Sequence, residues 1–336
     1  MAHKFPWRLV SFRLEKEGPE TAHVGIWEGD RMIDLSAALV ASGRPRPEGM
    51  RQLLEWYAAE DFVPWMTDTV RKGATTYPID QAILLAPITN PRMFYDFLGF
   101  EQHVRQIRAR RGTTVPELWY KRPAYYIGSV APDKLFGPGA VTIPNFVEKS
   151  DYECELALVI GKAGQFTVAA EAAKFIQQHC FFTLCNDWSA RDYQKLDMEL
   201  GLGVSHSKTI IGTSFGPALV HASQFRFNAD GCPDLTLQVV VNGMARGEAN
   251  YQSAYWDFAK ILAFLGREKI GVFPGDIIGS GTIGNGCIAE FAAKVVDGKE
   301  VEPARFPWLQ SGDKVTLTAD GIGTLANTVQ IIRHQT

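Results

Sequence analysis

The sequence predicts an α+β fold in which β-strands dominate. Short runs of apolar and β-branched residues recur along the 336 residues, and only a few stretches have the spacing of an amphipathic helix. These strands and helices do not alternate regularly, as they would in a doubly wound parallel sheet. In addition, no GxGxxG motif opens a helical pattern, which argues against the common dinucleotide-binding arrangement.

Composition and charge are those of an ordinary globular protein, with 46% hydrophobic and 21% charged residues. The length suggests two domains or one large one. A formal net charge of −3 gives no reason to expect nucleic acid or an anionic membrane as a partner. The one basic cluster, at 105–111, is short and fits a solvated helix face.

Targeting signals and cysteines indicate the compartment. No apolar run is long enough to cross a bilayer, and the first residues lack the apolar core of a signal peptide. The five cysteines form no CxxC pair, which argues against a disulfide framework or a structural zinc site. We therefore expect a reducing, cytoplasmic setting.

The first part of the chain predicts a small β-rich unit. Two short strands are expected at 23–29 and 31–35, with a turn near Gly29-Asp30. Helical spacing follows at 50–60 and 61–70. A proline-containing stretch between about 75 and 92 suggests the crossing into a second domain, so the predicted domains are residues 1–85 and 86–336.

The second part is rich in strands. Helices are predicted over 168–185 and 253–268. Strands are predicted at 152–160, 218–227, 235–243, 275–280, 290–296 and 314–318.

Three carboxylates stand at alternate positions in "DYECELALVIGK". In a strand, Asp151, Glu153 and Glu155 would share one face, with neighbouring Cα atoms roughly 6.5–7 Å apart. Their charges repel unless a positive group lies between them. A solvated strand edge explains Asp151, but it explains the two glutamates less well because the strand continues into apolar sequence.

Two further acids lie in apolar sequence. Asp187 follows "FFTLC" and precedes a tryptophan, and Asp96 has aromatic neighbours. A salt bridge or a helix cap would explain any one of the four acids alone. A divalent cation would neutralise them together, and oxygen ligands favour Mg²⁺, Ca²⁺ or Mn²⁺ over zinc or copper.

The chain resembles the fumarylacetoacetate hydrolase family over roughly residues 85 to 330. The resemblance is carried by "YDFLGFEQH", "DYECELALVIGK", "NDWSARDYQ", "GSGTIGNGCIAE" and "LQSGDKVTL", in that order. It implies a mixed β-roll catalytic domain, a homodimer, and a Mg²⁺- or Ca²⁺-dependent reaction on a keto or diketo acid. The family's metal ligands fall on Asp96, Glu153, Glu155 and Asp187.

The resemblance also implies a general base. If 100–111 is helical, His103 lies on one face with Phe100 and Val104, and by itself fits a core-edge histidine. The family has its catalytic histidine seven residues after the metal-binding acid, which is His103 here. Its carboxylate partner, which fixes the tautomer and stabilises the imidazolium, would be Glu290. Without the resemblance, Glu290 would be interpreted as an ordinary strand-start charge.

Further positions match the family's polar groups. Arg191, Gln194 and Lys208 match residues that stabilise the developing oxyanion, while Arg111, Tyr126 and Thr282 match substrate contacts. Arg110 is a rival for Arg111 because the two are adjacent. Surface charges or turn residues are the alternative interpretation of all of these.

Some positions depart from the family pattern. Two substrate-facing tyrosines of fumarylacetoacetate hydrolases are replaced by Leu98 and Met198. The loss of two hydroxyls argues against fumarylacetoacetate itself as the substrate. The segment after Lys208 also differs, which leaves the role of Thr213 beside the metal open.

Three hypotheses follow. The first is a metal-dependent hydrolase that cleaves a C–C bond of a β-diketo acid, such as an acylpyruvate. The second keeps the metal and changes the reaction to decarboxylation, hydration or tautomerisation of a keto acid. The third is a dimer in which the cation is only structural, which would leave Arg191, Gln194 and Lys208 without a use.

Overall fold

The computed structural model describes residues 5–18, 21–59, 62–72, 74–296 and 299–333. Its α-helices are α1 Leu35–Ala41, α2 Met50–Tyr57, α3 Phe62–Arg71, α4 Glu101–Arg110, α5 Glu117–Lys121, α6 Ala169–His179, α7 Arg191–Glu199, α8 Ser205–Ile211 and α9 Phe258–Arg267. Its strands are β1 Arg8–Leu14, β2 His23–Glu28, β3 Arg31–Asp34, β4 Thr76–Pro78, β5 Ala82–Leu84, β6 Phe94–Phe97, β7 Tyr125–Ile127, β8 Leu135–Phe136, β9 Gly139–Pro144, β10 Ser150–Asp151, β11 Cys154–Ile160, β12 Cys180–Asp187, β13 Ser189–Ala190, β14 Thr213–His221, β15 Thr236–Val241, β16 Met244–Asn250, β17 Ile277–Gly279, β18 Lys294–Val296, β19 Lys299–Glu302, β20 Lys314–Ala319 and β21 Gly323–Ile332.

Most strands belong to two sheets. The larger sheet has 12 strands in the order β4-β3-β2-β1-β14-β12-β11-β17-β6-β7, with β5 beside β1 and β8 beside β14. A 5-stranded sheet has the order β16-β15-β20-β21-β9. The predicted strand-dominated α+β class is therefore confirmed. None of the helices in the described ranges has the length and apolar character needed to cross a membrane.

The central strand β11 is buried on both faces. Leu156 and Leu158 pack in one hydrophobic cluster, whereas Ala157 and Val159 pack in another. This double burial explains why the strand has continuous apolar sequence without polar alternation. The burial also holds in place the start of the strand, where Glu155 lies.

The first 85 residues extend the larger sheet. Strand β1 pairs antiparallel with β2 on one side and with β14 on the other. The predicted strands at 23–29 and 31–35 are confirmed as β2 and β3, and Gly29 between them has a φ of 61°. The two predicted helices are confirmed as α2 and α3, although residues 60 and 61 lie outside the described residues. The domain boundary at residue 85 stays a prediction.

The predicted helix over 168–185 is wrong in its second half. Helix α6 ends at His179, and the chain continues directly as strand β12. This strand pairs with β11 on one side and β14 on the other, and all its residues are buried. A short apolar run that is buried all round has no periodicity that separates strand from helix, but its aromatic residues and threonine favour a strand.

Two predicted strands have the wrong bounds. The strand predicted at 218–227 is β14, which begins at Thr213 and ends at His221, whose side chain accepts a hydrogen bond from Ser223 N–H and starts a 3₁₀ turn. The predicted strand over 290–296 begins only at Lys294, because Ala289–Phe291 forms a 3₁₀ turn. The amides of Ile288 and Ala289 donate to a side chain instead of to a neighbouring strand.

Candidate active site

Three of the predicted metal-binding acids meet at the centre of the larger sheet. Asp96 is on β6, Glu155 is on β11 and Asp187 ends β12. One carboxylate oxygen from each lies within 4.8 Å of the others, and all three side chains are buried. Residues far apart in the chain therefore form one cluster of oxygen atoms.

Strand register explains this convergence. Glu155 pairs with Cys185 on β12, so Asp187, two residues further on, lies on the same face as Glu155. Strand β17 separates β11 from β6, and its Gly279 pairs with both Ala157 and Asp96. A Cβ atom on Gly279 would lie 2.2 Å from Asp96 Oδ1. The absence of a side chain there leaves the space that the carboxylates share.

The electrostatics of the cluster fit a bound cation. Burial and the nearby Asp187 carboxylate raise the pKa of Asp96 well above its ordinary value. Burial and the charge of Asp96 do the same to the pKa of Glu155. Moreover, Asp96 Oδ1 is buried and has no hydrogen-bond partner among the residues that the structure describes. A set of oxygen donors with one unsatisfied atom suits a hard divalent cation such as Mg²⁺, Ca²⁺ or Mn²⁺.

Glu153 lies beside this cluster and is paired with two cations. Arg191 Nη2 donates to Glu153 Oε1 at 2.7 Å, and Lys208 Nζ donates to Glu153 Oε2. Burial would raise the pKa of Glu153, but Lys208 and Arg191 outweigh burial and lower it. Lys208 also forms an ion pair with Asp187. A metal-binding role for Glu153 stays a prediction.

Asp151 is not a solvated strand-start residue, so that interpretation is wrong. The strand is interrupted at residues 152 and 153, and the Asp151 side chain is fully buried. Its carboxylate accepts hydrogen bonds from Ile288 N–H at 2.8 Å, Ala289 N–H at 3.0 Å and Arg191 Nε at 2.8 Å. One feature of the sequence could have indicated that Asp151 is buried: it lies two residues before Glu153, just as Glu153 lies two residues before Glu155.

His103 and Glu290 form the predicted pair. His103 lies on the buried side of α4, and its Nδ1 is 3.0 Å from Glu290 Oε1. The other carboxylate oxygen, Glu290 Oε2, accepts a hydrogen bond from Cys287 N–H at 3.2 Å. A neutral imidazole with its proton on Nδ1 has its lone pair on Nε2, where it can accept another proton.

Three other predicted residues contact the acidic cluster or Arg191 beside it. Tyr126 O–H donates to Asp187 Oδ2 at 2.7 Å, and Thr282 Oγ1 is 3.4 Å from Glu155 Oε1. Gln194 Oε1 accepts a hydrogen bond from Arg191 Nη1 at 3.0 Å. Thr213, whose role the sequence left open, lies with its Oγ1 3.2 Å from Asp187 Oδ1. The roles of Tyr126 and Thr282 in substrate binding and of Gln194 beside the oxyanion stay predictions.

The two adjacent arginines at the end of α4 differ. Arg110 donates from Nε to the Glu290 carbonyl and pairs with Glu302. Arg111 follows the last residue of the helix, is exposed, and has its Nη1 3.6 Å from Met198 Sδ. Arg111 is therefore the more exposed of the two, and it contacts Met198, one of the two residues that depart from the family pattern. Its role in substrate binding stays a prediction.

Comparison with known proteins identifies the fold and the family. The family model described as fumarylacetoacetate (FAA) hydrolase C-terminal matches residues 92–330. A fumarylacetoacetate hydrolase structure from Exiguobacterium antarcticum shares the fold with a TM-score of 0.69 at 22% identity, covering 97% of this chain and 100% of that one. A maleylpyruvate hydrolase structure from Sphingobium has a TM-score of 0.66 at 19% identity, covering 97% and 100%.

Two sequence relatives cover most of the chain. The oxaloacetate tautomerase YisK of Bacillus subtilis is 29% identical over 294 residues, which is 86% of this chain and 84% of that protein. The bovine mitochondrial oxaloacetate tautomerase FAHD2A is 26% identical over 340 residues, which is 96% of this chain and 91% of that protein. Because the family model matches more than half of its length, the chain belongs to the fumarylacetoacetate hydrolase family.

Proposed function

We propose that the chain is a divalent-cation-dependent enzyme that hydrolyses a C–C bond of a β-diketo acid, such as an acylpyruvate. The observation that supports this best is the buried His103–Glu290 pair, whose imidazole can accept a proton from water at Nε2. Asp151 links the pair to the acidic residues, since its carboxylate accepts hydrogen bonds from Arg191, which pairs with Glu153, and from the amide of Ala289 beside Glu290.

The proposed cation ligands are Asp96, Glu155 and Asp187, with Glu153 as a fourth. When bound there, Mg²⁺, Ca²⁺ or Mn²⁺ would supply Lewis acidity to the oxygens of the keto acid. Tyr126 and Thr213 hydrogen-bond to Asp187, and Gly281 N–H donates to Glu155 Oε2 at 3.2 Å. These bonds hold the carboxylates in place, as the outer contacts of ligating groups do in metal sites.

The chain's own residues would move the proton in hydrolysis. His103 Nε2 takes a proton from water as the water oxygen attacks the carbonyl carbon remote from the carboxylate. Glu290 keeps the Nδ1 proton in place and stabilises the imidazolium. When the C–C bond breaks, the imidazolium returns its proton to the departing carbon, which gives a carboxylate and a keto acid.

Two buried cations face the same region. Burial opposes the charge on Lys208, but Asp187 and Glu153 outweigh it and raise the pKa of the ammonium group. Burial likewise opposes the charge on Arg191, and Glu153 and Asp151 raise the pKa of the guanidinium group. Both groups therefore stay charged at neutral pH. In a dry site, fixed cations of this kind can stabilise a developing oxyanion by several kcal/mol.

A second candidate is tautomerisation of a keto acid, and the names of the two sequence relatives favour it. In this reaction His103 would take a proton from carbon and return one to oxygen, without attack by water. Leu98 and Met198 remove two hydroxyls that would hold a larger polar substrate. Decarboxylation would use the same cation site.

A substrate screen would test the two candidates. Acylpyruvates, fumarylpyruvate and oxaloacetate would each be incubated with Mg²⁺, Mn²⁺ or Ca²⁺. Hydrolysis predicts loss of the diketone ultraviolet absorbance with release of a carboxylate. Tautomerisation predicts equilibration of enol and keto oxaloacetate without cleavage, and decarboxylation would release carbon dioxide.

A variant pair would test the base. His103→Ala should abolish turnover and leave cation affinity close to that of the wild type, because His103 is not among the oxygen ligands. His179→Ala, at the end of α6, changes a histidine outside the site and should retain activity. Unchanged turnover in His103→Ala would overturn the proposed mechanism.

The proposal includes a homodimer. Leu200 and Leu202, which follow α7, are 73% and 78% exposed, and a second copy could cover them. Sedimentation velocity of the wild type and of Leu200→Glu would test this, with a shift to monomer expected in the variant. The cytoplasmic setting stays a prediction.

A further inference from the structure

A second cluster, with different chemistry, contains the proposed base. His103, Cys287 and Glu290 each offer one ligand atom, and these atoms lie within 4.8 Å of one another. All three side chains are buried. The cluster thus combines an imidazole nitrogen, a thiol sulfur and a carboxylate oxygen, whereas the group formed by Asp96, Glu155 and Asp187 contains oxygen alone.

The donor types favour different cations. Mg²⁺ and Ca²⁺ prefer oxygen ligands, while Zn²⁺ binds thiolate, imidazole and carboxylate together. Zinc bonds of about 2.0–2.3 Å in tetrahedral geometry place neighbouring ligand atoms roughly 3.3–3.8 Å apart. His103 Nδ1 and Glu290 Oε1 are 3.0 Å apart, so small side-chain movements would admit an ion between them.

The fold holds the three residues in place. Cys287 N–H donates to Glu290 Oε2, and the next two amides donate to Asp151. The positive charge of Arg191, which lies near Cys287, is already paired with Asp151 and Glu153. The loop therefore holds Cys287 and Glu290 in place, and His103 on α4 is held to Glu290 by its Nδ1. Three ligands of this kind would leave one zinc position for water or substrate.

We propose that His103, Cys287 and Glu290 form an inhibitory site for a thiophilic divalent cation, with Zn²⁺ as the principal ligand. Zinc binding replaces the thiol proton of Cys287, which is released to solvent. The proton on His103 Nδ1 moves to Nε2 as Nδ1 becomes a ligand. Nε2 then has no lone pair for a proton from water or substrate, so the base is lost. The inhibition rests on the proposed function, but the binding of the cation does not.

Cobalt can report on this site directly. Co²⁺ added to the Mg²⁺-saturated enzyme should give a thiolate-to-cobalt charge-transfer band, which oxygen ligands cannot produce. The band should be absent in Cys287→Ser and present in Cys232→Ser, the control, because Cys232 is buried elsewhere and is not part of the cluster. Competition by Zn²⁺ should remove the band from the wild type.

Inhibition gives a second measurement. Cys287→Ser and Cys287→Ala should keep the Mg²⁺-supported activity and require a roughly tenfold or higher Zn²⁺ concentration for half inhibition. Thermal melting would confirm that the variants fold. A cobalt–thiolate band in Cys287→Ser, or equal zinc inhibition of the wild type and both variants, would overturn the site. If the enzyme has none of the proposed activities, the cobalt band still tests cation binding.

Discussion

Asp151 connects the two functional parts of the candidate site. Its carboxylate holds Arg191, which pairs with Glu153 beside the acidic cluster. The same carboxylate holds the amides of Ile288 and Ala289, which directly precede Glu290. The position of the His103–Glu290 pair relative to the acidic cluster therefore depends on one buried side chain that does not contact the imidazole.

We expect Asp151→Asn to lower kcat by about 10- to 100-fold with a much smaller change in KM. Asparagine has a similar shape but no charge, and its amide group would face hydrogen-bond donors. Because Glu290 would move, the pH profile of kcat should shift as well, which a general loss of stability would not cause. Asp192→Asn, at the start of α7, is the control. A normal kcat and pH profile in Asp151→Asn would show that Asp151 has no positioning role.

At the scale of elements, strand β17 acts as a spacer. It separates the strands that carry Glu155 and Asp96, and its Gly279 pairs with Asp96 on one side and with Ala157, two residues after Glu155, on the other. A Cβ atom at this position would lie 2.2 Å from Asp96 Oδ1 and 3.2 Å from Glu155 Oε2. The backbone at Gly279 does not have a positive φ, so the requirement for glycine comes from the space and not from the conformation.

Gly279→Ala should therefore weaken cation binding by about 10- to 100-fold, because the methyl group displaces Asp96 from the cluster. Titration calorimetry with Mg²⁺ or Mn²⁺ would measure the effect. Gly18→Ala is a matched control, since a Cβ atom there lies more than 4 Å from the other atoms of the described part of the chain. Equal cation affinity in the two variants would show that the carboxylates do not bind the cation in this arrangement.

Sequence patterns predict elements well where one face is polar. Helix α2 has such a face, since only Met50, Leu53 and Leu54 are buried, and it is confirmed within a few residues. Strand β12 has none, because it lies between β11 and β14 with every residue buried, so its pattern cannot separate it from the helix before it. The strand predicted at 290–296 begins too early, because Ala289–Phe291 is a 3₁₀ turn. The amide of Ile288 just before this turn donates to Asp151, a contact that spans more than 130 residues and that local sequence cannot reveal.

Sequence patterns likewise identify only some residues of the candidate site. Asp96, Glu155 and Asp187 can be identified because charges in apolar sequence need a partner. Gly279 and Cys287 carry no such signal, since their importance depends on which residues the strand register and the loop place beside them.

At the scale of the whole molecule, His221 joins the first part of the chain to the central sheet. It ends β14, and its Nε2 is 2.9 Å from Tyr57 O–H on α2. Phe5 and Phe181 pack against its ring. Burial lowers the pKa of His221 to about 4. The neutral imidazole is therefore part of the contact between β14 and the N-terminal helices.

This lowered pKa predicts acid sensitivity. Between pH 6.5 and about 4 the unfolded chain binds a proton at His221 that the folded chain does not, so stability falls as the pH falls through this range. The full effect is about 3 kcal/mol. Urea denaturation at pH 7 and pH 4.5 would measure it, and His221→Gln should show a smaller difference between the two pH values. An unchanged difference would exclude His221 as the source.

When no cation is bound, the acidic cluster makes the folding stability depend on pH in the opposite direction from His221. A carboxyl whose pKa is raised on folding binds its proton more tightly in the folded state. The cation-free protein therefore loses stability as the pH rises from the unfolded values of 3.8 for Asp96 and 4.5 for Glu155 through their raised values. A bound cation removes this loss, because its charge replaces the protons.

Thermal melting with Mg²⁺ and with EDTA should therefore differ most at high pH. At a Mg²⁺ concentration about 100 times Kd, binding adds about 2.7 kcal/mol of stability, which raises Tm by several degrees. The difference should shrink as the pH falls, because protons then compete with the cation for Asp96 and Glu155. Gly279→Ala should show a smaller difference at every pH. A melting temperature that is equal in Mg²⁺ and in EDTA at pH 8 would contradict a tightly bound cation, because Asp96 and Glu155 would then have to remain neutral without one.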